Sequence, residues 1–375
     1  MPEPARAVLE PSRRPVVVKV GTTMLCGDGP GPRPDRLRAL TQQLARIHRS
    51  GRPVVLVTSG AIATGAGRLG VARPASMPER QALAAVGQPV LMREYARSFA
   101  RAGIAVAQVL LTADDLAVRR RYLNARNTMA ALLRRRIVPI VNENDTVATE
   151  EIRIGDNDTL SAQVAILVGA DLLCILSDVD GLYTGDPRRD PAARRIPEVT
   201  AITPEIERLA RRTSSALGTG GMATKLAAAR LATAAGCTVV VADGRTPQVL
   251  ERVVAGERLG TWFLPAARAV AGRKRWLVAS ARIRGRLVVD DGAAAALRER
   301  GRSLLPSGIR DVHGTFSAGD LVAVLDPTGR EIARGIVAHD RATLEQLRGR
   351  RSQEVAHLVG GRIEVIHRDN LVLSG

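Results

Sequence analysis

The chain has 375 residues, 45% hydrophobic and 25% charged, which excludes a disordered or collagen-like polypeptide and suggests about two domains. Its three cysteines, Cys26, Cys174 and Cys237, form no CxxC pair, so neither a structural zinc site nor a disulfide scaffold is expected. The formal charge is +18, yet only three of the 55 basic residues are lysines: Lys19, Lys225 and Lys274.

That ratio reads as a bias replacing surface lysine by arginine. Arginine cannot replace lysine where a compact ammonium must reach between phosphates. Lys19 and Lys225, both in glycine-flanked segments, are therefore candidates for chemistry. With 2% aromatics there is little to stack single-stranded bases, and a nucleic-acid partner is not expected. No apolar run reaches the roughly 18 residues of a membrane helix, and residues 1–15 carry no apolar signal region. The expectation is a disordered extension over 1–15 on a cytoplasmic protein that meets no membrane.

In chain order, Val16–Val20 reads as a buried strand, followed at once by Gly21. Asp35–Arg49 reads as a helix with Leu37, Leu40, Leu44 and Ile47 on one face. Pro53–Thr58 is a second strand, Pro78–Ala102 a long helix and Ile104–Leu111 a strand. Asn124–Arg136 is a helix with Arg134, Arg135 and Arg136 in its last turn, where positive charge suits the dipole. The strand Ile137–Val141, the helix Asp158–Val168, the strand Leu172–Leu176, the helix Met222–Ala235 and the strand Thr238–Ala242 follow. Strands alternating with helices predict an α/β fold, an open and mainly parallel sheet sandwiched by helices. Ligands of such sheets bind beyond the carboxyl ends of the strands.

The pattern changes near residue 270. Short runs with turn signals, Gly285–Asp290, Gly314–Gly319, Asp320–Leu325, Ile332–Val337 and Ile363–Ile366, are interrupted by one helical patch, Gly292–Glu299. This predicts a small, mostly-β module. Residues 276–375 hold 15 arginines against 12 acidic residues, so the net positive charge lies mainly in the first domain. The boundaries expected are 16–268 for the first domain, 269–282 for a linker and 283–375 for the module.

Five segments carry chemistry. Lys19-Val-Gly-Thr-Thr23 leaves a strand end, as a phosphate-binding turn or a plain βα turn. Thr58-Ser59-Gly60-Ala61 permits close ligand approach, or caps a helix at Ser59. Asn142-Glu143-Asn144-Asp145 suits an amino group or a hydrated cation, or is an Asx-rich turn. Gly155-Asp156-Asn157-Asp158 precedes a helix; its aspartate could cap the helix, orient lysines or hold metal. Gly218-Thr-Gly-Gly-Met-Ala-Thr-Lys225 enters a helix, an anion site that is not a Walker A loop. Asp178-Val-Asp180-Gly181 lacks the glycine and glutamate of a calcium loop, and the five histidines are scattered, so no protein-held metal is expected. Together, two lysines and a glycine-rich helix start suit phosphoryl transfer by positioning and charge neutralisation. The Asn/Asp cluster suits an amino-acid acceptor.

The segments VVKVGTTML, VTSGAIATG, Leu83-Ala-Ala-Val-Gly-Gln88, NARNT, IVPIVNENDTVAT, IGDNDTLSA, SDVDGLYTGDPR and GTGGMATKLAAA resemble the glutamate 5-kinases of the amino acid kinase family. SLLPSGI, GTFSAGD and HRDN resemble the PUA domain that follows the kinase in longer bacterial members. The resemblance implies transfer of the ATP γ-phosphate to the γ-carboxylate of L-glutamate, the first step of proline biosynthesis. It implies Lys19, Lys225 and Asp158 as catalytic residues. Lys19, Ser177, Asp178 and the run Thr219, Gly220, Gly221, Met222, Ala223, Thr224 and Lys225 are implied for ATP, and Ser59, Asp145 and Asn157 for glutamate. It further implies Mg2+ with the ATP, proline as feedback inhibitor, a homo-oligomer that is a tetramer, and hand-off of the product to glutamyl phosphate reductase. Thr23 and Ser177 stand where serine and threonine are commoner, and both keep a hydroxyl.

Overall fold

The computed structural model describes residues 13–27, 29, 31–71, 74, 76–148, 157–187, 190–212, 221–265, 283–350, 354–355 and 363–374. Most of the expected N-terminal extension (1–12) and the expected linker (269–282) lie outside the described residues. So do Thr219 and Gly220. Two compact units separate between residues 265 and 283.

In the first unit the elements are β1 (Val16–Val20), α1 (Thr22–Cys26), α2 (Pro34–Arg49), β2 (Val54–Val57), α3 (Ala61–Leu69), α4 (Met77–Ala100), β3 (Val106–Leu111), α5 (Ala113–Ala117), α6 (Arg119–Arg134) and β4 (Val138–Glu143). They continue with α7 (Asn157–Val168), β5 (Leu172–Ser177), β6 (Glu198–Val199), α8 (Pro204–Arg212), α9 (Met222–Ala234), β7 (Thr238–Asp243), α10 (Val249–Val254) and β8 (Thr261–Phe263). The eight strands form one sheet in the order β3-β4-β2-β1-β5-β7-β8-β6. All neighbours are parallel except β7 and β8. The expected open, mainly parallel sheet is what forms.

The central strands β1, β2 and β5 are buried along their whole length, as strands covered on both faces must be. Their Val, Leu and Ile residues supply that burial and favour extended backbone. In α7, Leu160, Ala162, Val164, Ala165, Ile166 and Leu167 are all buried. A helix apolar on every side belongs inside, and this one packs on β1, β2, β4 and β5. Its first turn is thereby held over the sheet. Helices α3 and α4 meet at two glycines: a Cβ at Gly87 would come within 1.9 Å of the Ala61 carbonyl oxygen, and one at Gly65 within 1.9 Å of that of Leu83. Only glycine permits that approach.

Three readings of this unit change. α6 ends at Arg134, and Arg136 leaves it with φ 56°, so Arg135 and Arg136 lie beyond the last turn. The N-cap of α3 is Gly60 rather than Ser59. β6 and β8, of two and three residues, were too short to leave a pattern; they continue the sheet beyond β7.

The second unit contains β9 (Gly285–Val289), α11 (Asp291–Arg300), β10 (Ile309–Gly314), β11 (Leu321–Leu325), β12 (Glu331–Ile336), α12 (Arg341–Leu347) and β13 (Leu371–Leu373). Its sheet runs β10-β9-β11-β12-β13, with β9 and β11 parallel and the other pairs antiparallel. Leu287, Val289, Leu297, Val322, Val324, Ile332 and Ile366 form its core. Asp290 caps α11 by accepting from the Ala293 amide at 2.7 Å. The strand expected over Gly314–Gly319 is displaced: pairing with β9 falls on Ile309–Gly314. Ile363–Ile366 contributes a single bridge, Leu304 to Ile366, rather than a strand. Helix α12 and strand β13 were not read from the sequence.

Candidate active site

The catalytic candidates come together at the carboxyl ends of the central strands. Lys19 is the fourth residue of β1, between β2 and β5. Asp158 is the second residue of α7, and Lys225 the fourth of α9. Small residues, Ala228, Ala229 and Ala232, are buried along α9, which packs on α7. That close approach brings Lys225 to Asp158. Lys19 Nζ stands 2.5 Å from Asp158 Oδ1, and Lys225 Nζ 3.4 Å from Oδ2. The Thr224 hydroxyl lies 3.0 Å from the same Oδ2 and 2.7 Å from the Gly221 carbonyl oxygen.

Asp158 has no exposed surface, and each lysine only 6%. Burial by itself would raise the Asp158 pKa; Lys19, Lys225 and the hydrogen bonds from Lys19 and Thr224 outweigh it and hold the carboxyl below its usual range. The aspartate is neither a helix cap nor part of a carboxylate cluster. It is the shared counterion of two ammonium groups. Glycines border them: a Cβ at Gly21 would touch Lys19 Nζ at 3.7 Å, and α9 starts at the extended Gly221. Met222 is buried and Ala223 exposed in the first turn of α9.

Next to this trio lies a neutral, amide-rich cluster. Asn157 Nδ2 is 2.7 Å from the Thr58 carbonyl oxygen, 2.7 Å from Ser59 Oγ and 3.0 Å from Asn142 Oδ1. Two amide protons face three acceptors, so the Ser59 hydroxyl, which can itself donate, is the one left available. Asn157 Oδ1 is buried without a hydrogen-bond partner among the described residues. Asn142, at the end of β4, donates to Gln88 Oε1 at 2.8 Å. Ser59 and Asn157 therefore sit together, and Asn157 adjoins the charged trio through Asp158.

Asp145 lies in the turn after β4 and makes no hydrogen bond or ion pair among the described residues. Burial pushes its pKa up to about 6, partly opposed by Arg80. In the same turn the Thr146 hydroxyl donates to Asn144 Oδ1 at 2.6 Å and the Val147 amide to the Asn144 carbonyl at 3.2 Å; the first bond joins two side chains and is not the side-chain-to-backbone bond of an Asx turn. Ser177 ends β5, one residue past Leu176, the register partner of Val20. Its hydroxyl donates to Asp178 Oδ1 at 3.2 Å. Arg245 donates to the Asp178 carbonyl at 2.8 Å and pairs with Asp243, tying the ends of β5 and β7 together beside Ser177.

Reasoning from residues alone passed over Gln88, Tyr95 and the Thr58 carbonyl. Gln88 lies inside a segment that resemblance had singled out, and a glutamine in an apolar helical stretch was the available signal. Among the described residues no three His, Cys, Asp or Glu side chains come together as a metal-ligand set. No helix there is long and apolar enough to cross a membrane.

The pattern of the amino acid kinase family matches residues 14–243, and that of the PUA domain residues 285–359. The glutamate 5-kinase of Moorella thermoacetica is 49% identical over 373 residues, 99% of this chain and 98% of its own. That of Syntrophotalea carbinolica is 48% identical over 362 residues, 96% of this chain and 97% of its own. The crystal structure of UMP kinase from Bacillus anthracis aligns with 68% of this chain and 97% of its own, at 18% identity and a TM-score of 0.46.

Proposed function

The chain belongs to the amino acid kinase family as one of its glutamate 5-kinases, and from that premise we propose how its residues transfer the ATP γ-phosphate to the γ-carboxylate of L-glutamate. The observation that carries the assignment is the buried Asp158 carboxylate shared by Lys19 and Lys225.

The γ-carboxylate is ionised near neutral pH, so no general base is needed. One of its oxygens attacks the γ-phosphorus in line, the bond to the bridging oxygen breaks, and that electron pair leaves on ADP. Lys19 and Lys225 neutralise charge on the phosphoryl oxygens, and Asp158 keeps both ammonium groups aimed at one point. Preorganisation costs nothing at the moment of reaction, because the ion pairs already exist in the unliganded fold. Gly221, Met222, Ala223 and Thr224 extend this anion site along the start of α9, Thr219 and Gly220 are assigned to ATP from the resemblance alone, and Ser177 and Asp178 border the nucleotide. Ser59 and Asn157 bind glutamate by hydrogen bonds. Asp145 receives its α-ammonium group.

Mg2+ fits this site as a partner of the triphosphate. Both Asp158 oxygens are engaged by lysines and Thr224, which leaves phosphate oxygens and water as the natural ligands of a cation that prefers to keep its water. When bound, it supplies further charge neutralisation. The same reading takes 16–268 as the kinase domain, 269–282 as a linker and 283–375 as the PUA domain. Family membership also supports a cytoplasmic enzyme, proline as feedback inhibitor, a tetramer, and delivery of the acyl phosphate to glutamyl phosphate reductase.

A hydroxylamine trap tests the reaction. Acyl phosphates give coloured hydroxamates, and signal is expected with L-glutamate and MgATP together with ADP release. Signal only with another acid would keep the mechanism and change the acceptor. Silence across an amino-acid panel from folded protein would refute the assignment.

A further inference from the structure

We propose that Gln88 is a positioning residue for the glutamate site, acting through Asn142 on Asn157; the inference rests on the reading of Ser59 and Asn157 as glutamate ligands. Helix α4 carries three polar side chains at seven-residue spacing, Gln81, Gln88 and Tyr95, which share one face because seven residues make about two turns. Each holds the carboxyl side of a strand. Gln81 Nε2 donates to the Ala148 carbonyl beyond β4 at 2.9 Å, Gln88 Oε1 accepts from Asn142 at the end of β4, and the Tyr95 hydroxyl lies 2.8 Å from Thr58 Oγ1 just after β2. Gln88 and Tyr95 are 8% and 0% exposed, so these bonds are made away from water.

The direction of the amide chain is set at one end. The Thr58 carbonyl can only accept, so Asn157 must turn Nδ2 toward it. Asn157 then donates to Asn142 Oδ1, Asn142 must turn Nδ2 toward Gln88, and Gln88 must present Oε1. Two groups remain buried and unpartnered among the described residues: Asn157 Oδ1, an acceptor, and Gln88 Nε2, a donor. Buried polar groups without partners are rare in a finished core. Here the order of the chain keeps the Asn157 acceptor turned away from the protein's own donors, available to the acceptor substrate. Without an acceptor at position 88, Asn142 Nδ2 has no partner, so nothing holds the Asn142 amide in place, and the Oδ1 that receives the second Asn157 proton is no longer fixed.

The test is the near-isosteric Gln88→Met, which fills the space but cannot accept. The glutamate KM is expected to rise on the order of tenfold, the effect of one buried hydrogen bond, with the ATP KM within about twofold and a smaller change in kcat. A residue that only supports the fold would not divide the two substrates in this way. In a double-mutant cycle with Asn142→Ala, the double variant should match Asn142→Ala alone, because Gln88 acts only through Asn142. An unchanged glutamate KM, equal loss of affinity for both substrates, or additive effects would overturn the proposal. If Gln88→Met shows no cooperative melt, Gln88→Leu, which likewise cannot accept, takes its place with the same expectation; if both are unfolded, Gln88 holds the fold and the proposal falls. Wild-type enzyme inactive on glutamate would instead defeat the underlying assignment.

Discussion

Replacing Asp158 by asparagine should destabilise the unliganded enzyme far more than a surface charge change, and ATP should restore much of the loss. The carboxylate has no exposed surface and is the common counterion of Lys19 at 2.5 Å and Lys225 at 3.4 Å. Removing one partner of a buried pair costs about 3–5 kcal/mol, since it strands uncompensated charge. For a unit of this size about 1 kcal/mol moves the melting temperature by roughly 2–4 °C, so a drop of roughly 6–20 °C is expected. ATP phosphates give the stranded lysines a substitute counterion, and nucleotide at 100 times its Kd returns about 2.7 kcal/mol. The nucleotide-induced rise in Tm should accordingly be larger in Asp158→Asn than in the parent, while kcat falls because the lysines are no longer held together. The pH dependence has a definite sign. The folded pKa of Asp158 is depressed, so its contribution is present above the unfolded carboxyl value of about 3.9 and is lost as pH falls through the lower folded value. The asparagine variant should lack that acid-side loss. Thermal melts with and without nucleotide, at pH 7 and below pH 4, are the assay. A melting temperature within about 2 °C of the parent, or no larger response to ATP, would refute the shared-counterion argument.

Lys225→Ala should lower kcat at least as severely as it raises the ATP KM, because its ammonium acts on the transferring group; unchanged turnover would remove it from the mechanism. Asp145 must be ionised to receive an ammonium group, and burial lifts its pKa to about 6. The glutamate KM should therefore rise as pH falls through about 6, a dependence that Asp145→Ala abolishes while weakening glutamate at every pH; a flat parent profile would contradict this. Gly87→Ala should cost about 3 kcal/mol, the upper part of the overpacking range, because its Cβ would overlap the Ala61 carbonyl oxygen. A chemical denaturation midpoint equal to the parent's would show that α3 and α4 can part without loss.

Much of the first unit was legible because strands buried on both faces must be almost wholly apolar. Val16–Val20 and Leu172–Leu176 declare themselves in that way, and the intervening helices by their 3.6-residue period. The second unit was less legible. Its strands are short and interrupted by glycine, so the partner strand, not the run of residues, decided that pairing fell on Ile309–Gly314 instead of Gly314–Gly319. The site divided along the same line. Lys19 and Lys225 were marked by residue type, since lysine is scarce in this composition and both sit beside glycines. The segment around Asn157 and Asp158 was visible, but a cap, a metal ligand and a lysine partner remained open.

Sequence by itself determined which groups this protein owns: two retained lysines, an asparagine-aspartate pair at a helix start, glycines where backbones approach, and a basic first domain. Only the tertiary structure decided what Asp158 does, because three residues separated by 139 and 67 positions meet there at hydrogen-bond distance. Likewise only the fold could assign Gln88, whose role depends on the polarity of an amide chain that begins at the Thr58 carbonyl just beyond β2. Residue type sets which bonds a group can form. Which bonds it does form follows from how closely buried elements pack, and that is a property of the whole sheet and its helices.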